Sequence, residues 1–265
     1  MEAGTTGMST QAERSVAQRR MRQGLRWWRL GLQDRAAECF ATAAQLVPEN
    51  AQYRVQQGEL ARWRQHCQRL IGGDVVSDPT LSAKSMYLSV LGVQHAAWLY
   101  EAQRQADLAA SAGVPRLHCL ADAQRYIHEA GMRPDELLAI AVFCRTSGFV
   151  GSIRLCLAGR AALMTYWITP RQQGQGFGTG ALELTRALAS LRGIQHIFAV
   201  TQPANFQSRA ALAKAGFNTI ATVLAMDSML ELWCAGPRED IGRQVCDTAS
   251  AVFRRFFQGK TSGEP

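Results

Sequence analysis

Apolar positions fall into two rhythms along the chain. Through residue 72 they recur at helical spacing within long polar stretches, and from 86 onward short apolar runs of strand length take over. Strands are predicted over 86–92 (MYLSVLG), 136–145, 151–159, 161–168, 197–201, 218–225 and 228–234. Two helical stretches, 93–110 and 120–131, stand between the first strand and the second. A helix through 179–191 would set Leu182, Leu184, Leu188 and Leu191 on one face, and a shorter one follows Asn205. Near the end, 242–258 places Val245, Ala249, Val252, Phe253 and Phe256 at helical spacing, a face for the N-terminal module or a second subunit. Short connections holding Gly151, or Gly159 and Arg160, make 136–168 read as antiparallel hairpins.

The stretch 71–84, IGGDVVSDPTLSAK, breaks both rhythms and marks a boundary. The predicted organisation is a disordered tail at 1–16, a helical module at 17–72, a linker at 73–84, a mixed domain at 85–235, and a C-terminal helix and tail at 236–265. The net charge of +8 is uneven, since residues 1–72 carry 11 Arg against 6 acidic groups. Clusters such as RRMR at 19–22 and RWWR at 26–29 could meet nucleic acid, an acidic protein or anionic lipid. A solvated helix face is the plainer reading, so nucleic acid is possible and not favoured. No run of about 18 apolar residues exists, so no membrane span is expected. The N-terminus lacks a basic-then-apolar signal, and the seven cysteines are dispersed without a C-x-x-C pair. They read as reduced thiols of a cytoplasmic protein, with no metal site.

Candidate chemistry concentrates in 163–180, LMTYWITPRQQGQGFGTG, a strand running through a glycine-rich loop into a helix. Gly174, Gly176, Gly178 and Gly180 let the backbone approach a ligand, and the helix start offers unpaired N–H groups to an anion such as phosphate. A mobile glycine loop without a ligand is the alternative. A Walker loop would need a lysine that is absent here. A dinucleotide loop fits Gly176-x-Gly178-x-x-Ala181 loosely, yet no Asp or Glu stands between Glu183 and Asp227 to hold a ribose. The third option is the pyrophosphate loop of acyl-CoA-dependent enzymes, Arg/Gln-x-x-Gly-x-Gly/Ala, which Arg171-Gln172-Gln173-Gly174-Gln175-Gly176 meets in full.

A second motif stands at a compatible distance. In 205–217, NFQSRAALAKAGF, the residues Asn205, Ser208, Lys214, Gly216 and Phe217 follow strand 197–201 in register. With Tyr166, Trp167 and Pro170, the two motifs resemble the ribosomal-protein branch of the GNAT N-acetyltransferases over roughly 85–235. The resemblance implies an α+β GNAT fold, with a mixed, mostly antiparallel central sheet flanked by helices. It implies acetyl-CoA as co-substrate and an amine, on a protein or peptide, as acceptor. The phosphates would lie on residues 174–179 (Gly174, Gln175, Gly176, Phe177, Gly178, Thr179), bordered by Gly180, with Arg171, Gln172 and Gln173 ahead of them. The pantetheine arm would pair with backbone around Trp167, Ile168 and Thr169. Asn205 would hold that arm, and Ser208 could protonate the leaving thiolate; both could instead merely cap their helix.

The chain departs from the family where acid and base are concerned. Leu212 replaces a common Tyr, Leu163 and Thr165 replace a Glu and a Gly before the Tyr-Trp pair, and Gly180 replaces a Glu. No general base is identifiable; Tyr166, Glu136, Glu129 and water are candidates, with His118 more interesting than His196. Two alternatives follow: a non-catalytic acyl-CoA sensor, or an enzyme acting on an RNA-linked amine. The acceptor segment 93–133 balances Glu101, Asp107, Asp122 and Glu129 against Arg104, Arg116, Arg125 and Arg133, which counts against polycation acceptors.

The N-terminal stretch is similar to a single tetratricopeptide repeat, on Gly24, Trp27, Ala36, Phe40, Ala43 and Pro48. Small residues there would let two helices approach, with Gln33-Asp34 as turn and N-cap and Pro48 as stop. One register onward Gly58 recurs but Ala61 stands where the aromatic should be, so a second repeat is incomplete. The resemblance implies a module that docks on its own chain or on a protein partner.

Overall fold

The computed structural model describes residues 9–29, 33–71, 86–104, 116–225 and 228–236. The chain divides into two compact units, 1–74 and 75–265. The linker at 73–84 and the C-terminal helix at 242–258 lie outside the described residues.

In the first unit α1 (Gln11–Arg29), α2 (Gln33–Leu46) and α3 (Ala51–Ile71) follow one another. α1 begins at Gln11, inside the stretch 1–16 expected as tail, with the Thr10 N–H and hydroxyl both bonded to Glu13; residues 1–8 lie outside the described residues. Gln33 and Asp34 form the first turn of α2 rather than a cap ahead of it. Ala17, Met21, Ala36, Phe40, Ala43, Val47 and Leu60 make the core. At Gly24 the approach is tight: a Cβ would come within 2.5 Å of the Phe40 ring and 3.1 Å of the Cys39 Cβ. Gly58 has no such neighbour; its Cβ would meet only Arg62, at 3.8 Å. The recurrent glycine on α3 therefore lacks the packed helix pair that Gly24 has.

The second unit is a seven-stranded sheet, built from β1 (Met86–Val90), β2 (Leu137–Cys144), β3 (Gly148–Ala158), β4 (Ala161–Ile168), β5 (His196–Thr201), β6 (Asn218–Ala225) and β7 (Ser228–Ala235). The spatial order is β1-β2-β3-β4-β5-β7-β6. Only β4 and β5 pair parallel; every other neighbouring pair is antiparallel. Helices α4 (Ala96–Arg104), α5 (Leu120–Gly131), α6 (Phe177–Leu191) and α7 (Phe206–Lys214) complete the described domain. The mixed, mostly antiparallel sheet flanked by helices agrees with the expected α+β GNAT fold.

Two details differ from the sequence reading. β3 begins at Gly148, not 151, because the turn falls on 145–147 and Phe149 pairs with Phe143. Leu182, Leu184 and Leu188 are buried as expected, but Leu191, at the end of α6, is 75% exposed. Within the sheet core, Ala161, Leu163, Phe198, Leu232 and Cys234 cluster, and Tyr87 stacks on Phe143 at 5.3 Å.

A side chain at position 24 should loosen the first unit. Gly24→Val forces Phe40 aside, at a cost of about 1–3 kcal/mol for overpacking. Amide exchange in α1 and α2 of the full chain should speed up by roughly 10-fold or more, with β2 and β3 unaffected. Unchanged exchange in α1 would contradict the tight helix approach.

Candidate active site

The site grows from where two strands part. β4 and β5 pair from Ala161 with His196 to Met164 with Ala199, and there the parallel ladder stops. β4 nevertheless continues to Ile168 along β3, and β5 to Thr201 along β7. One edge of Thr165–Ile168 is therefore left without a strand.

Alternation decides which backbone groups face that edge. The Thr169 N–H donates to the Val150 carbonyl at 2.8 Å, so Thr169 and, two residues earlier, Trp167 direct their backbone groups toward β3. Tyr166 and Ile168 face the gap. Of the three backbone positions expected to meet pantetheine, only Ile168 thus turns its N–H to the open side. The Ile168 carbonyl accepts the Gln173 side-chain amide at 3.0 Å. Trp167, Ile168 and Thr169 are buried, so what they can offer a ligand is main chain rather than side chain.

Beyond β4 the chain folds into a tight loop. Pro170–Gln172 form one 3-10 turn, the Thr169 hydroxyl bonds Gln172, and the Gln175 side chain donates to the Arg171 carbonyl at 2.8 Å. Gly174 (φ +72°) and Gly176 (φ +84°) take the left-handed conformation that L side chains resist. A Cβ at either would meet nothing within 4 Å, so the space over the loop is open. Gly176 is the N-cap of α6, and the first helical bond runs from the Gly180 N–H to its carbonyl. The amides of Gly178 and Thr179 precede that bond, in the turn that a helix leaves without its own acceptors. Phe177 is buried beneath the turn, whereas Arg171, Gln173, Gly174, Gln175 and Gly176 are exposed. The loop residues fit an anion held by main chain and dipole, without a lysine.

Residues of α7 face the same region. Asn205 is the N-cap, its Oδ1 accepting the Ser208 N–H at 3.0 Å. The capping reading of Asn205 is thus realised, and it leaves the side-chain NH2 as the end with donors to offer. The Ser208 Oγ lies 3.1 Å from the Tyr166 Oη, and either hydroxyl can be the donor. Burial pushes the Tyr166 phenol above the usual tyrosine range, partly offset by Ser208. The phenol therefore keeps its proton through neutral pH. Leu212, on the same helix, is fully buried. Arg209 ties α7 to β7 through Glu231 at 2.9 Å, and Arg186 ties α6 to the Ala215 carbonyl at 2.6 Å.

The other base candidates stand apart from this pair. Glu136 and Glu129 are exposed, His118 is exposed with its backbone N–H capped by Asp122, and His196 opens β5 stacked on Phe198. Sequence reasoning missed buried His95, whose Nδ1 accepts the Gly92 N–H at 3.0 Å, and Tyr126 on α5. Tyr126 is held above the usual range by burial. Among the described residues no cluster of His, Cys, Asp or Glu could hold a metal ion.

Comparison with known proteins places this geometry. The profile of the acetyltransferase (GNAT) domain family matches residues 87–218. No curated protein matches the chain by sequence. Among solved structures, RimJ of Mycobacterium smegmatis in complex with CoA-disulfide shares 18% identity, covering 58% of this chain and 83% of its own, with a TM-score of 0.53. An acetyltransferase from Salmonella typhimurium that modifies the N-terminal serine of a 50S ribosomal subunit protein shares 15%, over 59% and 97%, at a TM-score of 0.53. The aminoglycoside acetyltransferase AAC(6')-Ib in complex with coenzyme A shares 19%, over 58% and 96%, at 0.51. At these identities the likeness concerns the fold.

Burial also sets an alkaline limit. Tyr87, Tyr126 and Tyr166 are all raised by burial, while an unfolded chain ionises its tyrosines near pH ~10. Above that pH the unfolded state releases protons that the folded state keeps, so stability present below it is lost as pH rises. The melting temperature should hold to about pH 9 and fall above about pH 10, less steeply in Tyr87→Phe. Equal slopes in parent and variant would contradict the assignment.

Proposed function

Residues 87–218 belong to the acetyltransferase (GNAT) domain family, and from that premise we propose that the chain transfers an acetyl group from acetyl-CoA to an amine on a protein or peptide. The observation that carries the reading is the open edge at Tyr166 and Ile168, beside a glycine loop at the start of α6. Acetyl-CoA supplies an activated acetyl thioester. The amides of 174–179 and the α6 dipole hold its phosphates. The Ile168 N–H, on the open edge, polarises the thioester carbonyl. The Asn205 NH2 group steadies the pantetheine arm while its oxygen caps α7.

Proton traffic falls to the hydroxyl pair. The Ser208 Oγ gives its proton to the departing sulfur, the Tyr166 Oη restores it, and water returns a proton to the phenol. A phenol placed on β4 thus stands in for the tyrosine that Leu212 replaces on α7. The acceptor amine loses its proton to water. No helix among the described residues is long and apolar enough to cross a membrane. We read the protein as cytoplasmic, with helices 17–72 as a repeat-like platform for a protein partner.

Acetyl-CoA should raise the melting temperature of the full chain, since it engages only the folded loop. Gly176→Val should abolish the shift, because a side chain is strained at φ +84° and would protrude into the open space over the loop. An unshifted parent protein would remove the co-substrate assignment; a shift retained in the variant would remove the loop.

Two substitutions separate catalysis from binding. Ser208→Ala should lower kcat by ~10-fold or more with acetyl-CoA affinity little changed, because its partner exists only as the thioester breaks. Asn205→Asp keeps the capping oxygen and removes the amide donor, so it should weaken acetyl-CoA binding without destabilising α7. Parent-like turnover in Ser208→Ala would assign proton donation elsewhere.

A further inference from the structure

Two adjacent residues of α7 reach opposite sides of the gap in the sheet. Ser208 bonds Tyr166 on β4, Oγ to Oη at 3.1 Å. Arg209 turns to the other side, its Nε donating to the Glu231 Oε2 at 2.9 Å. Glu231 lies on β7 and pairs with Thr201, the last residue of β5. The ladder between β4 and β5 has already stopped, at Met164 and Ala199. The first turn of α7 is therefore tied to both strand walls beyond the place where they part. On the face of β4 turned away from α7, a recess lined by Tyr126, Ser152, Arg154, Thr165 and Trp167 has room for little more than a water molecule.

We propose that Arg209 and Glu231 are positioning residues for the pantetheine arm of acetyl-CoA. Their ion pair sets where the first turn of α7 stands over the gap, and through that turn it places the Asn205 amide. The inference rests on the acetyl-CoA reading above. Apolar packing does not hold this turn: of the nine described residues of α7 only Leu212, a turn beyond Ser208, is buried. Polar bonds hold it instead, and Arg209 makes several. Besides Glu231, its Nη1 donates to the Pro203 carbonyl at 3.3 Å, and its backbone N–H donates to the Asn205 carbonyl at 3.1 Å. Its guanidinium also lies 5.9 Å from the centre of the exposed Phe206 ring. One side chain thus runs from β7 to residues on both sides of Asn205.

The two ties do different things. The Ser208 bond to Tyr166 fixes a proton donor, and it does not require Arg209. The Arg209 bond holds the turn to the far wall, and with it the separation between the Asn205 amide and the strand edge at Ile168. The Arg209 side chain is 37% exposed and that of Glu231 15%, so the pair is partly screened and adds little to global stability. Its loss therefore costs a ligand that needs the turn in place more than it costs the fold. Glu231 is the less exposed partner, so removing Arg209 alone also leaves a half-covered carboxylate without its cation; replacing both residues removes that second effect.

Ligands with and without the arm test the proposal, and neither requires turnover. Coenzyme A and 3′-phospho-ADP, which is its nucleotide end without pantetheine, are titrated calorimetrically into the full chain. Arg209→Gln should weaken coenzyme A about 10-fold and 3′-phospho-ADP less than about 2-fold, because the phosphates lie on the glycine loop rather than in the gap. Glu231→Gln should do the same. The double variant should be no worse than either single one, since the two residues act as one pair. Arg209→Lys keeps the charge without the planar fork and should recover part of the loss. The melting temperature should fall by no more than about 4 °C in each variant. The proposal is overturned if Arg209→Gln binds coenzyme A like the parent, or if the losses of the two single variants add. It is also overturned if both ligands weaken by the same factor, which would give the pair a structural role alone. A parent protein that binds neither ligand would instead overturn the acetyl-CoA reading on which the inference rests.

Discussion

The domain depends on one interruption: the parallel ladder between β4 and β5 ends after Met164 and Ala199 although both strands continue. Backbone amides and carbonyls inside a sheet must find partners, and on their other sides they have them in β3 and β7. What is left is a short strand edge facing a gap within the sheet. An extended ligand with amide groups can take the place of the missing strand, and alternation confines its contacts to Tyr166 and Ile168. The glycine loop begins directly after this edge, and Ser208 near the start of α7 bonds Tyr166 on it. Closing the ladder by two more pairs would leave each of them intact and remove the place where they act together.

The glycine loop that follows is held by glutamines and contains no lysine. Gln173 covers the Ile168 carbonyl, Gln175 covers that of Arg171, and Gln172 receives Thr169. Two of these bonds satisfy main-chain carbonyls and the third joins two side chains, all without adding charge. The attraction for an anion then comes from the helix dipole and the first-turn amides, a weaker and more directional source than an ammonium. Exposed Arg171 is the one cation on the loop.

Much of this was legible because local chemistry dictates it. A glycine on alternate residues from 174 to 180, ahead of a leucine-faced helix, has few physical readings, and Asn205 with Ser208 marks a helix start wherever it occurs. The harder information was tertiary. Which face of β4 carries Tyr166 and which carries Thr165 follows only from the register with β3, and the meeting of Tyr166 with Ser208 spans 42 positions. Tyr126 and Arg154 were not legible as partners, since an amphipathic helix and a strand give no sign of which residues face each other. One signal was available: Ser152 and Arg154 are polar on alternate positions of an otherwise apolar strand. Leu191 shows the converse, an apolar residue in phase with a buried face that falls beyond the end of the packing surface.

The two faces of β4 carry different side-chain chemistry. Toward α6 and α7 lies a buried phenol with its proton held, bonded to a serine on the cap of a helix. Toward α5 lies a recess with a guanidinium and hydroxyls, and no carboxylate or histidine among the residues that line it. Among residues 161–168 no carboxylate or histidine stands ready to accept the amine's proton, which is why the proposed reaction hands that proton to water.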